Sequence, residues 1–351
     1  MSSALVECVP NFSEGKDKNT IRSIARAIRS VKGVALLHID PNPSANRTVM
    51  TFVGPPEQVA EAAFRAIKTA ARRIDMRQQT GEHPRIGATD VCPLIPLFDY
   101  SMAQTSALAT RLAERVGKQL AIPVYLYEHS ATQPERRNLA HIRKGQYEEF
   151  HAKIKLPEWF PDFGPSDFNP ITGATVIGAR DFLVAFNVSL DTKDPKIAQR
   201  IAAHLRESGT TVTAPDGSRT HIPGSYKGLK AIGWYMEVFG QAQVSMNITD
   251  LRATPLHTAF DACLKIATEF NTQVTASELI GMIPIGAMLE AGNHYMECLG
   301  HTPKDMTETQ IIAFAARQLR LPAFTPAVQH KRILELAIQK KRDTISLTSN
   351  S

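Results

Sequence analysis

Short β-prone runs and amphipathic helices follow one another along this chain in the order β-α-β-β-α-β, and they do so twice. In the first half an apolar run at 4–9 is ended by Pro10 and the turn-rich NFSEGKDK. Ile21, Ile24, Ala25 and Ile28 then recur at the three-and-four spacing that puts them on one helix face. Residues 33–40 and 47–54 read as two strands parted by PNPSAN; Val59, Ala63, Ile67, Ala70 and Ile74 mark a second helix, and ATDVCPLIPL a fourth, buried strand. A helix over 101–120, a strand in IPVYLYE and a charge-rich helix over 134–153 extend this half. The second half has a strand at 180–190, the helix KDPKIAQRIAAHLRES, the strand pair LKAIGWYMEV and AQVSMNITD, the helix PLHTAFDACLKIATEF and a last strand in TQVTASELIG. The symmetry lies in element order alone, with no residue-level repeat.

The expected fold class is therefore α/β (α+β): two βαββαβ ferredoxin-like lobes, each a mostly antiparallel sheet with helices on its outer face. The lobes divide as residues 1–178 and 179–338, and the basic tail at 339–351 is expected to be disordered. Between the lobes, KLPEWFPDFGPSDFNPITG (155–173) is rich in Pro, Gly and aromatic residues. It reads as an interdomain linker or, better given its aromatic content, as a wall facing a ligand.

With 43% hydrophobic and 21% charged residues, the 351-residue chain can bury a sizeable core. Its start has no basic n-region followed by an apolar run, and its longest apolar segments are too short to span a membrane. Cys8, Cys92, Cys263 and Cys298 are scattered, with no C-x-x-C pair, which argues for reduced thiols in a cytoplasmic protein and against a zinc site. In that setting the N-x-[ST] matches at Asn11, Asn46, Asn187 and Asn247 carry no weight as glycosylation sites. The net charge of +6 favours an anionic partner. Basic residues interleaved with acids on helices, and the absence of any zinc-finger or RRM signature, favour a polycarboxylate substrate over nucleic acid. P-loop, G-x-S-x-G, H-E-x-x-H and Rossmann fingerprints are absent too.

The stretch TGEHPRIGATDVCPLIP (80–96) stands out. Gly81, Pro84 and Gly87 force an irregular backbone just before a buried strand, and Glu82, His83 and Arg85 sit within it. Residue physics alone leaves His83 open between a catalyst titrating near working pH and a packed or solvated histidine. Arg47 and Arg85 suit bidentate carboxylate binding or a surface role. Asp40 and Asp90, at ends of strand-like runs, suit orienting an imidazole, balancing a cation or capping a turn. His38 and Asp40 alternate on one strand, which is weak support for a metal. DGSRTHIPGSYKGLK (216–230) reads as a basic loop, either solvated or touching an anionic tail.

The segments VECVPNFSEG, NRTVMTFVGPPE, GEHPRIGATDVCPLIP, PVYLYE, PDFGPSDF and GARDFLVAFN, in this order, resemble the glutamate formimidoyltransferase family. The resemblance continues through IGWYMEV, AQVSMNITD and ASELIGMIPIGAMLEAG to FTPAVQHKRILEL. It implies two α/β subdomains with a folate cleft between them, and transfer of a formimidoyl group from N-formimidoyl-L-glutamate to N5 of tetrahydrofolate in histidine degradation. By that resemblance His83 is the catalytic residue, and Gly164, Pro165, Ser166, Asp167, Phe168, Asn169, Pro170, Ile171, Thr172 and Gly173 form the folate-binding stretch. Departures from relatives at Asp167, Asn169, Ile171 and Thr172 favour a backbone role there. The resemblance further implies a homodimer with tetrahydrofolate as co-substrate, no metal, no membrane or nucleic-acid partner, and no deaminase activity.

On this reading His83 acts as general base and then general acid, and Glu82 or Asp90 stabilises the amidinium form of the donor. Arg47 and Arg85 are the candidates for the glutamate carboxylates. The alternatives are formyl transfer from N-formylglutamate and a non-catalytic folate-binding module.

Overall fold

The computed structural model describes residues 4–214, 216–301, 306–322, 324–342 and 345. They divide into two compact units, one running to Asp181 and one from Phe182 to Ala337, with the chain from Ile338 counted to the first.

The first unit contains β1 (Leu5–Cys8), β2 (Asn11–Phe12), α1 (Lys18–Arg29), β3 (Ala35–Asn42), β4 (Arg47–Gly54), α2 (Pro56–Arg73), β5 (Thr89–Phe98), α3 (Met102–Leu120), β6 (Val124–Leu126), α4 (Leu139–Arg143), α5 (Gln146–Lys153) and β7 (Thr175–Ala179). Strands β5, β1, β4 and β3 lie side by side in that order, all antiparallel, as the split βαβ pattern requires. Short β2 slots between β4 and β5, and β7 and then β6 continue the sheet beyond β5 in parallel. Asp17 starts α1 by accepting from the backbone N–H groups of Asn19 and Thr20, and the helix buries Ile21, Ile24, Ala25 and Ile28, the face its periodicity marks. A capping box between Ser101 and Gln104 starts α3. These helices pack on one sheet face around Phe12, Ile24, Phe52, Ile67, Leu94 and Leu112. Each such side chain contributes roughly 1.5–3 kcal/mol by burial.

Three expectations for this half are corrected. The helix expected over 134–153 is broken into a 3-10 turn at Pro134–Arg137, α4 and α5; Gly145 between the last two has φ +83°, which an L side chain resists. The pair α4 and α5 also lies on the sheet's other face, where Ile142, Phe150 and Ile154 cover Val91, Tyr125 and Val176. A parallel β5-β7-β6 extension is apolar on both faces and needs cover on both. Third, 155–173 is no linker: Val124 N–H donates to Phe163 O, Gly87 bridges Gly173, and the stretch runs directly into β7 inside the first unit.

The second unit contains β8 (Val184–Leu190), α6 (Pro195–Leu205), β9 (Thr210–Thr213), β10 (Arg219–Ile222), β11 (Leu229–Met236), β12 (Gln241–Ile248), α7 (Leu256–Glu269), β13 (Val274–Ile280), α8 (Ile285–Cys298), α9 (Glu308–Gln318), α10 (Pro326–Arg332) and α11 (Leu334–Lys340). Its four-stranded sheet runs β11-β12-β8-β13, antiparallel throughout, around a core that includes Phe186, Val188, Val244, Met246, Phe260 and Leu279. Here the sequence reading falls short at a hairpin of β9 and β10, which takes in part of the expected basic loop, and at α8 to α11, which follow the strand read as the last. The tail expected from 339 begins inside α11; its positions after 345 lie outside the described residues. Among the described residues no helix is long and apolar enough to cross a membrane.

Candidate active site

The opening of the site is a register irregularity. Asn11 on β2 pairs with Val91 on β5, but Phe12 pairs with Thr89, so Asp90 is the extra residue of a β-bulge. A bulge re-aims a side chain, and Asp90, completely buried, is aimed at two guanidinium groups. Arg47 at the start of β4 donates from Nη1 to Oδ2 at 2.8 Å, and Arg143 at the end of α4 donates from Nη2 to the same oxygen at 2.5 Å. The Ile86 backbone N–H donates to Oδ1 at 3.1 Å. Asn11 Oδ1 steadies Arg47 by accepting from Nε at 2.9 Å.

His83 joins this cluster through Arg47: its Nδ1 lies 3.1 Å from Arg47 Nη1 and 2.8 Å from the Pro84 carbonyl. A carbonyl can only accept and a guanidinium only donate, so Nδ1 cannot serve both contacts at once; the shorter, carbonyl contact corresponds to a proton on Nδ1 and a basic Nε2. Burial, reinforced by the Arg47 and Arg143 cations, pushes the His83 pKa well below the ordinary histidine value. Burial would raise the Asp90 carboxyl, yet Arg143 and Arg47 hold it down to about 2. Burial lowers Arg47 to about 10, with Asp90 opposing. At neutral pH the cluster is two cations and one anion beside a neutral imidazole. Arg47 Nη2 and Arg143 Nη1 have no recorded hydrogen-bond partner among the described residues.

The stretch 164–173 meets this loop on the neighbouring strand connection. Ala88 N–H donates to Thr172 O at 2.8 Å, Ala174 N–H to Ile86 O at 3.0 Å and Met76 N–H to Ile171 O at 2.9 Å. Gly87 and Gly173 permit this approach; a Cβ on Gly87 would stand 2.0 Å from Ala174 O, and one on Gly173 2.1 Å from Ile86 O. Asn169 folds the stretch by accepting from the N–H groups of Ile171 and Thr172, so its side chain has a structural use here. Gly164, Ser166, Asp167, Pro170 and Ile171 are exposed, Pro165 and Phe168 half-buried, and Thr172 and Gly173 buried. Phe168 packs on Tyr147, whose hydroxyl donates to Pro170 O at 2.6 Å.

Other expected residues stand elsewhere. Arg85, a candidate for the glutamate carboxylates, is buried; it holds Glu148 with two bonds of 2.9 and 2.7 Å and donates to Gln79, tying the loop to α5. Asp90, a candidate for balancing a substrate cation, accepts from protein donors on both its oxygens. Glu82 is exposed beside His83. Asp40 stands opposite Val49 on β3, on the sheet face that also carries Arg47 and Asn11. Among the described residues no group of three or more His, Cys, Asp or Glu side chains is placed to hold a metal ion.

Sequence reading missed Arg143 and Asn11. Arg143 was one cation among many in a charge-rich helix, and only the break at Gly145, visible as a glycine inside a helical pattern, gave any sign that the segment turns back to the sheet. Asn11, in the turn-rich stretch after the first strand, reads equally as a candidate site residue and as turn chemistry, with nothing to mark it as a partner of Arg47.

Two α/β units, the first carrying a buried Arg47–Asp90–Arg143 cluster beside His83, define the chain as a two-unit α/β protein with a charged site in its first unit. The sequence comparisons narrow the class. The family description "Formiminotransferase domain, N-terminal subdomain" matches residues 5–180 and "Formiminotransferase domain" matches 185–339, and the chain belongs to this family. It is 41% identical over 293 residues to a glutamate formimidoyltransferase of Streptococcus pyogenes, covering 84% of this chain and 93% of that one. The corresponding protein of Thermoplasma acidophilum is 40% identical over 310 residues, covering 88% and 97%. A formimidoyltransferase-cyclodeaminase of Mus musculus is 43% identical over 350 residues, which are 99% of this chain but 62% of that longer protein.

Proposed function

We propose that this chain transfers the formimidoyl group of N-formimidoyl-L-glutamate to N5 of tetrahydrofolate, releasing L-glutamate. Family membership supports the reaction class. The observation that carries the site is the junction at which Gly87 and Gly173 bring the His83 loop against the 164–173 stretch. Donor chemistry and folate recognition then share one piece of backbone.

N5 attacks the amidine carbon, a C–N bond forms, and the adduct collapses by breaking the bond to the glutamate nitrogen. His83, neutral because burial and two cations disfavour its charged form, takes the N5 proton on Nε2. The imidazolium so formed is strongly acidic for the same reason and passes the proton to the departing amine. Arg47 and Arg143 give the site its net positive charge and free N–H donors for the glutamate carboxylates. Glu82 balances the amidinium. The 164–173 stretch supplies backbone groups, with exposed Ile171 beside them, to the folate. The same reading places the protein in the cytoplasm as a homodimer.

The test is incubation of the purified chain with N-formimidoyl-L-glutamate and tetrahydrofolate, following 5-formimidoyltetrahydrofolate and glutamate by mass spectrometry, with N-formylglutamate as a parallel donor. Equal amounts of the two products are expected. Faster turnover of the formyl donor, or folate binding without any transfer, overturns the reading.

A further inference from the structure

Arg143 reaches Asp90 from the end of α4, a helix of five residues. So short a helix is not stable by itself, and the carbonyls of its last turn need partners. One side chain supplies them. Lys153, at the end of α5, donates from Nζ to the carbonyls of His141 at 2.9 Å, Ile142 at 2.8 Å and Lys144 at 3.0 Å, while the same ammonium lies 3.8 Å from the centre of the Trp159 ring. The three carbonyls bracket Arg143 in the sequence. α5 also holds the His83 loop through Glu148 and Arg85, and the 164–173 stretch through Tyr147 and Pro170, so the lysine is anchored on the element to which both halves of the site are tied.

We propose that Lys153 is a positioning residue of the transfer site: its ammonium locks the last turn of α4 so that Arg143 completes the clamp on Asp90 beside His83. The inference rests on the reading of His83 as the base. An ammonium offers one N–H to each of the three carbonyls, whereas the neutral amine has two N–H groups and serves only two; the His141 carbonyl also accepts from the Lys144 N–H at 3.3 Å. Burial lowers Lys153 to about 8; the charged groups that face it are Lys144, which adds to the lowering, and Glu149 on α5, which opposes it.

The experiment uses the full chain as wild type, Lys153→Met and Lys153→Arg, measuring transfer kinetics and the titration midpoint of His83 by NMR. Turnover of Lys153→Met should fall roughly 10- to 100-fold, the scale of a misplaced group, with KM for tetrahydrofolate unchanged. Its His83 midpoint should rise toward the ordinary histidine value, because Arg143 no longer holds its charge nearby. Wild-type turnover should fall as pH rises through about 8, and Lys153→Arg should recover most of the turnover and lose that fall. A Lys153→Met protein that melts lower but keeps wild-type turnover and His83 midpoint overturns the proposal. So does a Lys153→Arg protein that keeps the alkaline fall, a result that remains available if the methionine variant does not fold. An inactive wild type whose His83 midpoint still responds to Lys153 would instead count against the transfer reading alone.

Discussion

The two units share one strand order and differ in what they bury. In the first, the buried polar side chains include Glu7, Arg47, Arg85, Asp90 and Arg136; in the second, among the described residues, they are neutral or imidazole groups such as Asn187, Ser189, Gln243, Ser277 and His257. Gln243, fully buried on β12, donates to Ser189 on β8 at 3.0 Å and accepts from the Trp234 indole N–H at 3.3 Å. A neutral pair like this is satisfied by two or three bonds. The Asp90 cluster needs two guanidiniums, a backbone N–H and a bulge. Burying charge is costly unless it is paired, so the ionic unit is the one in which the fold bends to a chemical purpose.

That contrast can be broken at its strongest point. Asp90→Asn leaves buried Arg47 and half-buried Arg143 without their anion, and should destabilise the protein by about 3–5 kcal/mol in denaturant unfolding and abolish most transfer. His83→Ala should reduce turnover roughly 10²- to 10⁴-fold while the melting temperature and folate binding stay close to wild type; near-normal turnover would remove His83 as the base. On the proposed reading, in which the neutral His83 imidazole is the active form, the acid limb of kcat/KM should lie below the ordinary histidine value, since burial and the Arg47 and Arg143 cations depress its pKa.

Stability in acid separates the units as well. Asp90 has a depressed pKa, so its stabilising contribution is fully present above the reference 3.8 and is lost as pH falls through about 2. Hydrogen exchange should therefore show β5 and α4 opening before the second unit's sheet as pH falls through that window. The smallest effect belongs to the neutral pair: Ser189→Ala should cost about 1 kcal/mol and leave turnover unchanged.

Much of the frame was legible along the chain. Ile21, Ile24, Ala25 and Ile28 announce α1, and Val59, Ala63, Ile67 and Ala70 announce α2, because a face to be buried must repeat with the helix. The site was legible only in part. Glycine and proline flagged the His83 loop, and family resemblance flagged 164–173, but nothing local told Arg47, which clasps Asp90, from Arg85, which clasps Glu148. Both are arginines at the head of an apolar, strand-like run.

The sequence by itself determined the order of the βαββαβ core elements, the faces of the core helices and the two stretches where glycine allows the backbone to come close, since these depend on spacing within a dozen residues. Tertiary structure alone decided which charges meet. Arg47, Asp90 and Arg143 lie far apart in the chain, and it is sheet pairing, a one-residue bulge and a helix folded back over the second face that place them on one oxygen.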